Sequence, residues 1–177
     1  MKPLVLGFSG KIASGKSILS TEVASCLGWQ RVSFGDYVRS VAQRQGLGES
    51  REALQAVGVS LVDQGMEQFC RSVLSQVNWK PGQPLVVDGI RHAGIVPILR
   101  QIVAPLKLSL IFIAVNELTR NTRLMDRGLT NWEQQQQIET HSTEAQVQTV
   151  LPAIADLTVD GNRTIEELVV EIVRWIQ

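Results

Sequence analysis

The chain is short of the features that mark several large protein classes. It has two cysteines in 177 residues, Cys26 and Cys70, far apart and with no C-x-x-C spacing. That leaves no pattern for a disulfide framework or a paired-thiolate metal site. Cys26 falls in a predicted helix near its apolar face and reads as a reduced core thiol. The two histidines, His92 and His141, stand without a second ligand at metal spacing and read as structural or exposed. Charge of one sign is also lacking: 17 basic residues face 17 acidic ones. A nucleic acid polymer as the main ligand would need a surplus of cations, whereas a small phosphorylated ligand needs only a local cluster. No apolar run approaches the roughly 18 residues that span a bilayer. No N-terminal stretch combines a basic region, an apolar region and a cleavage site. These absences predict a soluble, cytoplasmic protein with no membrane partner. No repeat or linker divides the chain, and Gln134–Gln137 is too short for low complexity, reading instead as a solvated helix face. A single domain over residues 1–177 follows.

What is present is more specific. Gly10-Lys11-Ile12-Ala13-Ser14-Gly15-Lys16-Ser17 matches the phosphate-cradling pattern G-x-x-x-x-G-K-[ST]. The glycines let backbone N–H groups curl around a polyphosphate, Lys16 supplies a point charge to the β and γ phosphates, and the Ser17 hydroxyl can ligate Mg²⁺. An apolar run, Pro3 to Phe8, precedes the loop, and Ile18, Leu19, Val23 and Leu27 follow at helical spacing. Strand, loop and helix in that order predict a nucleoside triphosphate site at Gly10, Ala13, Ser14, Gly15, Lys16 and Ser17. Lys11, inside the loop, either adds charge to it or faces solvent.

Four more strands are expected, at Arg31–Phe34, Pro84–Val87, Leu108–Val115 and Leu157–Val159. Continuous apolar strands separated by helical stretches indicate a parallel sheet covered on both faces. Ligands of such a sheet gather beyond the carboxyl ends of its strands. Thr164 and Glu167 form a capping box for a last helix with the apolar stripe Ile165, Leu168, Val169, Ile172, Val173, Ile176. Residues 36–78 read as mostly helical with a break at Gly46–Ser50. Residues 116–152 carry Arg120, Arg123 and Arg127, then Gly128 and a polar helix.

Ser33-Phe34-Gly35-Asp36-Tyr37-Val38-Arg39 follows the second strand, and its Gly35-Asp36-x-x-Arg39 resembles the acceptor-phosphate stretch of P-loop nucleoside monophosphate kinases. Val86-Val87-Asp88-Gly89-Ile90-Arg91 resembles their strand-ending D-G-x-x-R, offset by one, and is closer to the D-G-I-R of archaeal proteins related to dephospho-coenzyme A kinase. Arg123-Leu124-x-x-Arg127 resembles an arginine-bearing lid helix. Ala155 to Asn162 resembles the last strand of dephospho-coenzyme A kinases, and Ser50 to Gly58 the acceptor segment of phage-type deoxynucleoside monophosphate kinases. The resemblance runs in order along nearly the whole chain. It implies an α/β, three-layer P-loop NTPase fold: a five-stranded parallel sheet with helices on both faces, a helical acceptor-binding insertion (36–78) and a lid (116–152).

The same resemblance implies an ATP- and Mg²⁺-dependent phosphotransferase. Such chemistry asks a protein mainly for positioning and charge neutralisation. Arg39, Arg51 and Arg91 are the candidate grip on an acceptor phosphate, which guanidinium meets in a bidentate way. Arg123 and Arg127 are candidates to neutralise the moving γ-phosphate from the lid; a solvated arginine face is the plain alternative, and the stronger one for Arg120. Asp88 closes a buried strand, where it would support Mg²⁺ alongside Ser17 or simply form an Asp-Gly turn. Asp36 orients the loop if the acceptor is a (deoxy)nucleoside monophosphate, and is a candidate general base if the acceptor is a hydroxyl, as in dephospho-coenzyme A kinases. A nucleotide-binding regulatory ATPase without a small-molecule acceptor is the third expectation.

Overall fold

The computed structural model describes residues 4–126, 128 and 142–177. Five parallel strands, β1 (Leu4–Gly10), β2 (Gln30–Ser33), β3 (Leu85–Asp88), β4 (Lys107–Ala114) and β5 (Leu157–Asp160), form one sheet in the order β2-β3-β1-β4-β5. Each lies within two residues of the strand expected from the apolar runs. The described helices are α1 (Lys16–Leu27), α2 (Phe34–Arg44), α3 (Arg51–Gln64), α4 (Met66–Leu74), α5 (Ile95–Ile102), α6 (Glu117–Asp126), α7 (Ser142–Ile154) and α8 (Ile165–Trp175). The expected polar helix around Gln134–Gln137 lies outside the described residues, as do Arg127 and His141.

Alternation explains why the strands read as unbroken apolar runs. Leu6 and Phe8 of β1 and Ile111 and Ile113 of β4 point to one face, where Leu19 and Val23 of α1 and Leu168 and Ile172 of α8 cover them. Val5 of β1 and Leu108, Leu110 and Phe112 of β4 point to the other, beneath α4, α5 and α7. Every residue of these strands must therefore tolerate burial. The capping box of α8 is present, with Thr164 accepting Glu167 N–H and Glu167 reaching back to Thr164 N–H. Helices α2 and α3 add a small cluster of their own, Val41, Ala42 and Val57.

The cysteine expectation divides. Cys70 is buried in α4, where burial pushes its thiol up to about 12. Cys26 is exposed. The buried stripe of α1 runs through Leu19, Ser20, Val23 and Ala24. At 100° per residue, Cys26 falls about 20° outside Leu19, just past the edge of that stripe.

Candidate active site

The parallel sheet brings three chain segments, far apart in sequence, to one edge. Asp88, at the end of β3, stands in register with Phe8 of β1 and with Ser33 of β2. The N–H groups of Gly89 and Ile90 donate to the Phe8 carbonyl (3.2 and 3.0 Å), so the D-G-I-R turn is tied to the strand that enters the loop.

From Gly10 the chain makes the P-loop. A Cβ at Gly10 would lie 2.8 Å from Ser14 Oγ and 3.1 Å from the Ile113 carbonyl, so the loop closes on itself only with glycine there. Gly15, at φ 86°, turns the chain into α1. Lys16 is 9% exposed and Ser17 is exposed at the head of the helix. The Lys11 alternative resolves toward a bond: its ammonium pairs with Glu117 at 2.8 Å. That hydrogen bond, aided by Arg120, holds the Glu117 carboxyl below its ordinary range.

A cleft of about 550 Å³ runs from the P-loop along the carboxyl ends of β1 and β3 to the insertion helices. Lys16, Ser17 and Ala13 line one end, Asp88 the middle, and Arg39, Arg51 and Arg91 the other. Four expected residues from three segments, Arg39, Arg51 and the Asp88–Arg91 turn, therefore share one cavity with Ala13, Lys16 and Ser17 of the loop. His92, expected as an isolated residue, lines it too.

Asp88 is 1% exposed. Its Oδ2 accepts Arg31 Nη2 at 2.7 Å, while Oδ1 is buried and has no hydrogen-bond partner. An orphaned carboxylate oxygen at a cleft wall fits a cation or its water shell, since leaving it bare is costly. Ser14 Oγ is a second buried oxygen in the loop with no partner. Among the described residues no three His, Cys, Asp or Glu side chains cluster as an all-protein metal cage.

Arg31 is the residue that sequence reasoning missed. From β2 it reaches Asp88, Asp36 (3.4 Å) and, through Nε, Ser20 Oγ of α1 (3.0 Å), which itself donates to the Ser17 carbonyl. It stood in a strand without any motif, and only the β2–β3 register sets it beside Asp88. Asp36 is half-exposed and pairs with both Arg31 and Arg39. Partial burial pushes its carboxyl up, but the two guanidinium groups outweigh that and hold it below the ordinary value.

The arginines of α6 lie behind the P-loop. Arg120, read from spacing as surface, is 1% exposed; its Nε donates to the Ile12 carbonyl (3.3 Å) and its Nη1 pairs with Glu117 (2.9 Å). Arg123 donates to the carbonyls of Ala13 (3.4 Å), Ser14 (3.1 Å) and Gly161 (3.0 Å) and does not line the cleft. Arginines at three-residue spacing look like a solvated face until the loop more than a hundred residues upstream is brought against them.

A lysine-headed phosphate loop on the central strand, opening into a polar cleft, defines a P-loop domain of the three-layer α/β kind. The chain belongs to the AAA domain family, whose model matches residues 6–146. It is 30% identical over 124 residues to a UPF0200 protein of Pyrobaculum aerophilum, a match covering 70% of this chain and 66% of that relative, just under two thirds of its length. The fold matches small-molecule kinases. The APS kinase of Mycobacterium tuberculosis, solved with AMPPNP and APS, superposes with a TM-score of 0.65 at 17% identity, covering 99% of this chain and 98% of that one. Shikimate kinase of Aquifex aeolicus superposes with a TM-score of 0.58 at 14% identity, covering 98% and 96%. No described helix is long and apolar enough to cross a membrane.

Proposed function

We propose that the protein is an ATP- and Mg²⁺-dependent phosphotransferase that moves the γ-phosphate to a small nucleotide acceptor, most simply a (deoxy)nucleoside monophosphate. The observation that carries this reading is the single cleft with a lysine–serine end and a three-arginine end. A module that only bound and hydrolysed a nucleotide would have no use for the second end.

In this reading the P-loop N–H groups and Lys16 bind the triphosphate of the donor. Ser17 and Asp88 Oδ1 hold Mg²⁺, which when bound neutralises charge on the phosphate oxygens. Arg31 keeps Asp88 Oδ2 occupied, and Oδ1 is the carboxylate oxygen left without a protein partner. Arg39, Arg51 and Arg91 orient the acceptor phosphate for in-line attack. A phosphate acceptor brings its own nucleophilic oxygen and needs no base. That suits Asp36, which is engaged by two arginines and absent from the cleft lining; the same engagement counts against the hydroxyl-acceptor reading, which needs Asp36 as base.

The test is γ-labelled ATP with Mg²⁺ against all ribo- and deoxyribonucleoside monophosphates and dephospho-coenzyme A, scoring labelled product and free phosphate separately. Label passing to one acceptor, and lost in Lys16→Ala, establishes the kinase. Free phosphate alone favours the regulatory ATPase, and label on dephospho-coenzyme A restores Asp36 as the base to test.

A further inference from the structure

A P-loop can turn its N–H groups toward an anion only if its carbonyl oxygens turn outward, where each needs a donor. Every carbonyl from Lys11 to Gly15 has one. Lys11 O accepts Ser14 N–H at 3.1 Å, and Gly15 O accepts Leu19 N–H at 3.0 Å. The three between them are taken by α6: Arg120 reaches the Ile12 oxygen, and Arg123 Nη1 is shared by those of Ala13 and Ser14. The arginines are themselves held. Glu117 pairs with Arg120 through one oxygen and with Lys11 through the other, and Arg123 Nη2 is anchored on the Gly161 carbonyl.

The loop needs this support. Ala13 sits at φ 64°, a left-handed conformation that a residue with a Cβ keeps only where its surroundings fix it. Its two neighbouring peptide planes are the ones whose carbonyls face Arg120 and Arg123.

We propose that Arg120 and Arg123 are positioning residues that hold the P-loop from behind in its phosphate-receiving conformation. In a trans peptide the N–H points opposite to the C=O of the same unit. A guanidinium on the Ile12 oxygen therefore polarises the Ala13 N–H, and one on the Ser14 oxygen polarises the Gly15 N–H, in both cases making the inward side more positive. The two arginines act on the donor phosphates through the backbone, without touching them. The role rests on the loop being a polyphosphate site, as proposed above, but not on phosphoryl transfer taking place.

Calorimetric titration of the full chain with inorganic tripolyphosphate, AMPPNP (each with Mg²⁺) and adenosine tests it in the wild type, Arg123→Met and Arg123→Lys. Arg123→Met should bind tripolyphosphate and AMPPNP about tenfold more weakly. Adenosine binding should not change, and Arg123→Lys should recover part of the loss because one ammonium can reach one carbonyl. Unchanged tripolyphosphate affinity in a folded Arg123→Met overturns the proposal. So does a loss seen with AMPPNP and adenosine but not tripolyphosphate, which would put the arginine on the base. If Arg123→Met does not fold, Glu117→Gln frees Arg120 and Lys11 and should weaken tripolyphosphate several-fold; no change there overturns the idea equally. A wild type that binds tripolyphosphate yet labels no acceptor refutes the kinase reading and leaves this one standing, whereas one that binds neither polyphosphate refutes both.

Discussion

The two ends of the cleft are built to different standards. At the P-loop end, Lys16 is buried to 9% exposure, the outward carbonyls are matched to donors, and glycines sit where a methyl group would collide. At the arginine end, Arg39 and its partner Asp36 are each about half exposed, and α2 and α3 meet over a small cluster of three buried apolar residues, Val41, Ala42 and Val57. Ion pairs in such exposure contribute little and exchange readily. In the proposed reading, this difference makes the P-loop end a pre-formed donor site and the arginine end an acceptor site that would complete itself around its ligand, with Arg39 released from Asp36.

That contrast can be broken most forcefully at Lys16. Lys16→Ala should reduce labelled transfer by on the order of a thousandfold with little change in melting temperature, since the loss is of charge aimed at the transferred phosphate. Arg91→Ala and Arg39→Ala should instead raise the acceptor KM by about 10- to 100-fold while leaving AMPPNP affinity within about twofold. An unchanged acceptor KM would remove both from the site.

Glycine substitutions sharpen the comparison through stability alone. A Cβ at Gly161, against the P-loop, would lie 2.6 Å from Ile113 Cγ2 and 2.8 Å from the Ala114 carbonyl, so Gly161→Ala should destabilise by about 2 kcal/mol in denaturant unfolding. Gly58, in the middle of α3 on the acceptor wall, has open space around it. Gly58→Ala should stabilise by up to about 1 kcal/mol. Equal costs at the two positions would erase the distinction.

The smallest effect is expected at Asp36. Its carboxyl is depressed in the folded state, so its contribution to stability is present above the ordinary value of 3.8 and fades as pH falls through the lower folded value. Exposure and solvent screening keep that contribution below about 1 kcal/mol. Asp36→Asn should therefore unfold slightly earlier than wild type at pH 7, with the two curves converging in strong acid.

How much of this was legible beforehand follows from the range of each interaction. The strands, the loop and the α8 cap are written in residues within a few positions of one another, and each was found where local pattern put it. Asp88, Arg91 and, one turn into α2, Arg39 were legible because motifs mark strand ends and a parallel sheet gathers strand ends at one edge; Arg51, at the start of α3, was legible only through the resemblance of Ser50 to Gly58. Arg31, Arg120 and Arg123 were legible as residues but not as contacts. Arg31 meets Asp88 across 57 positions, and Arg120 meets the Ile12 carbonyl across 108. No local spacing records whether a guanidinium faces water or the back of a loop.

The unequal cysteines give the molecule a handle for watching these events. Cys70 is buried with its thiol pushed up to about 12, while Cys26 stands exposed in the last turn of the helix whose first residue is Lys16. A thiol-reactive fluorophore should therefore attach at Cys26 well before Cys70 in the folded chain. Ten residues of helix place that dye about 15 Å along the axis from the phosphate lysine. There it could report donor binding optically, clear of the cleft and without any change to the sequence.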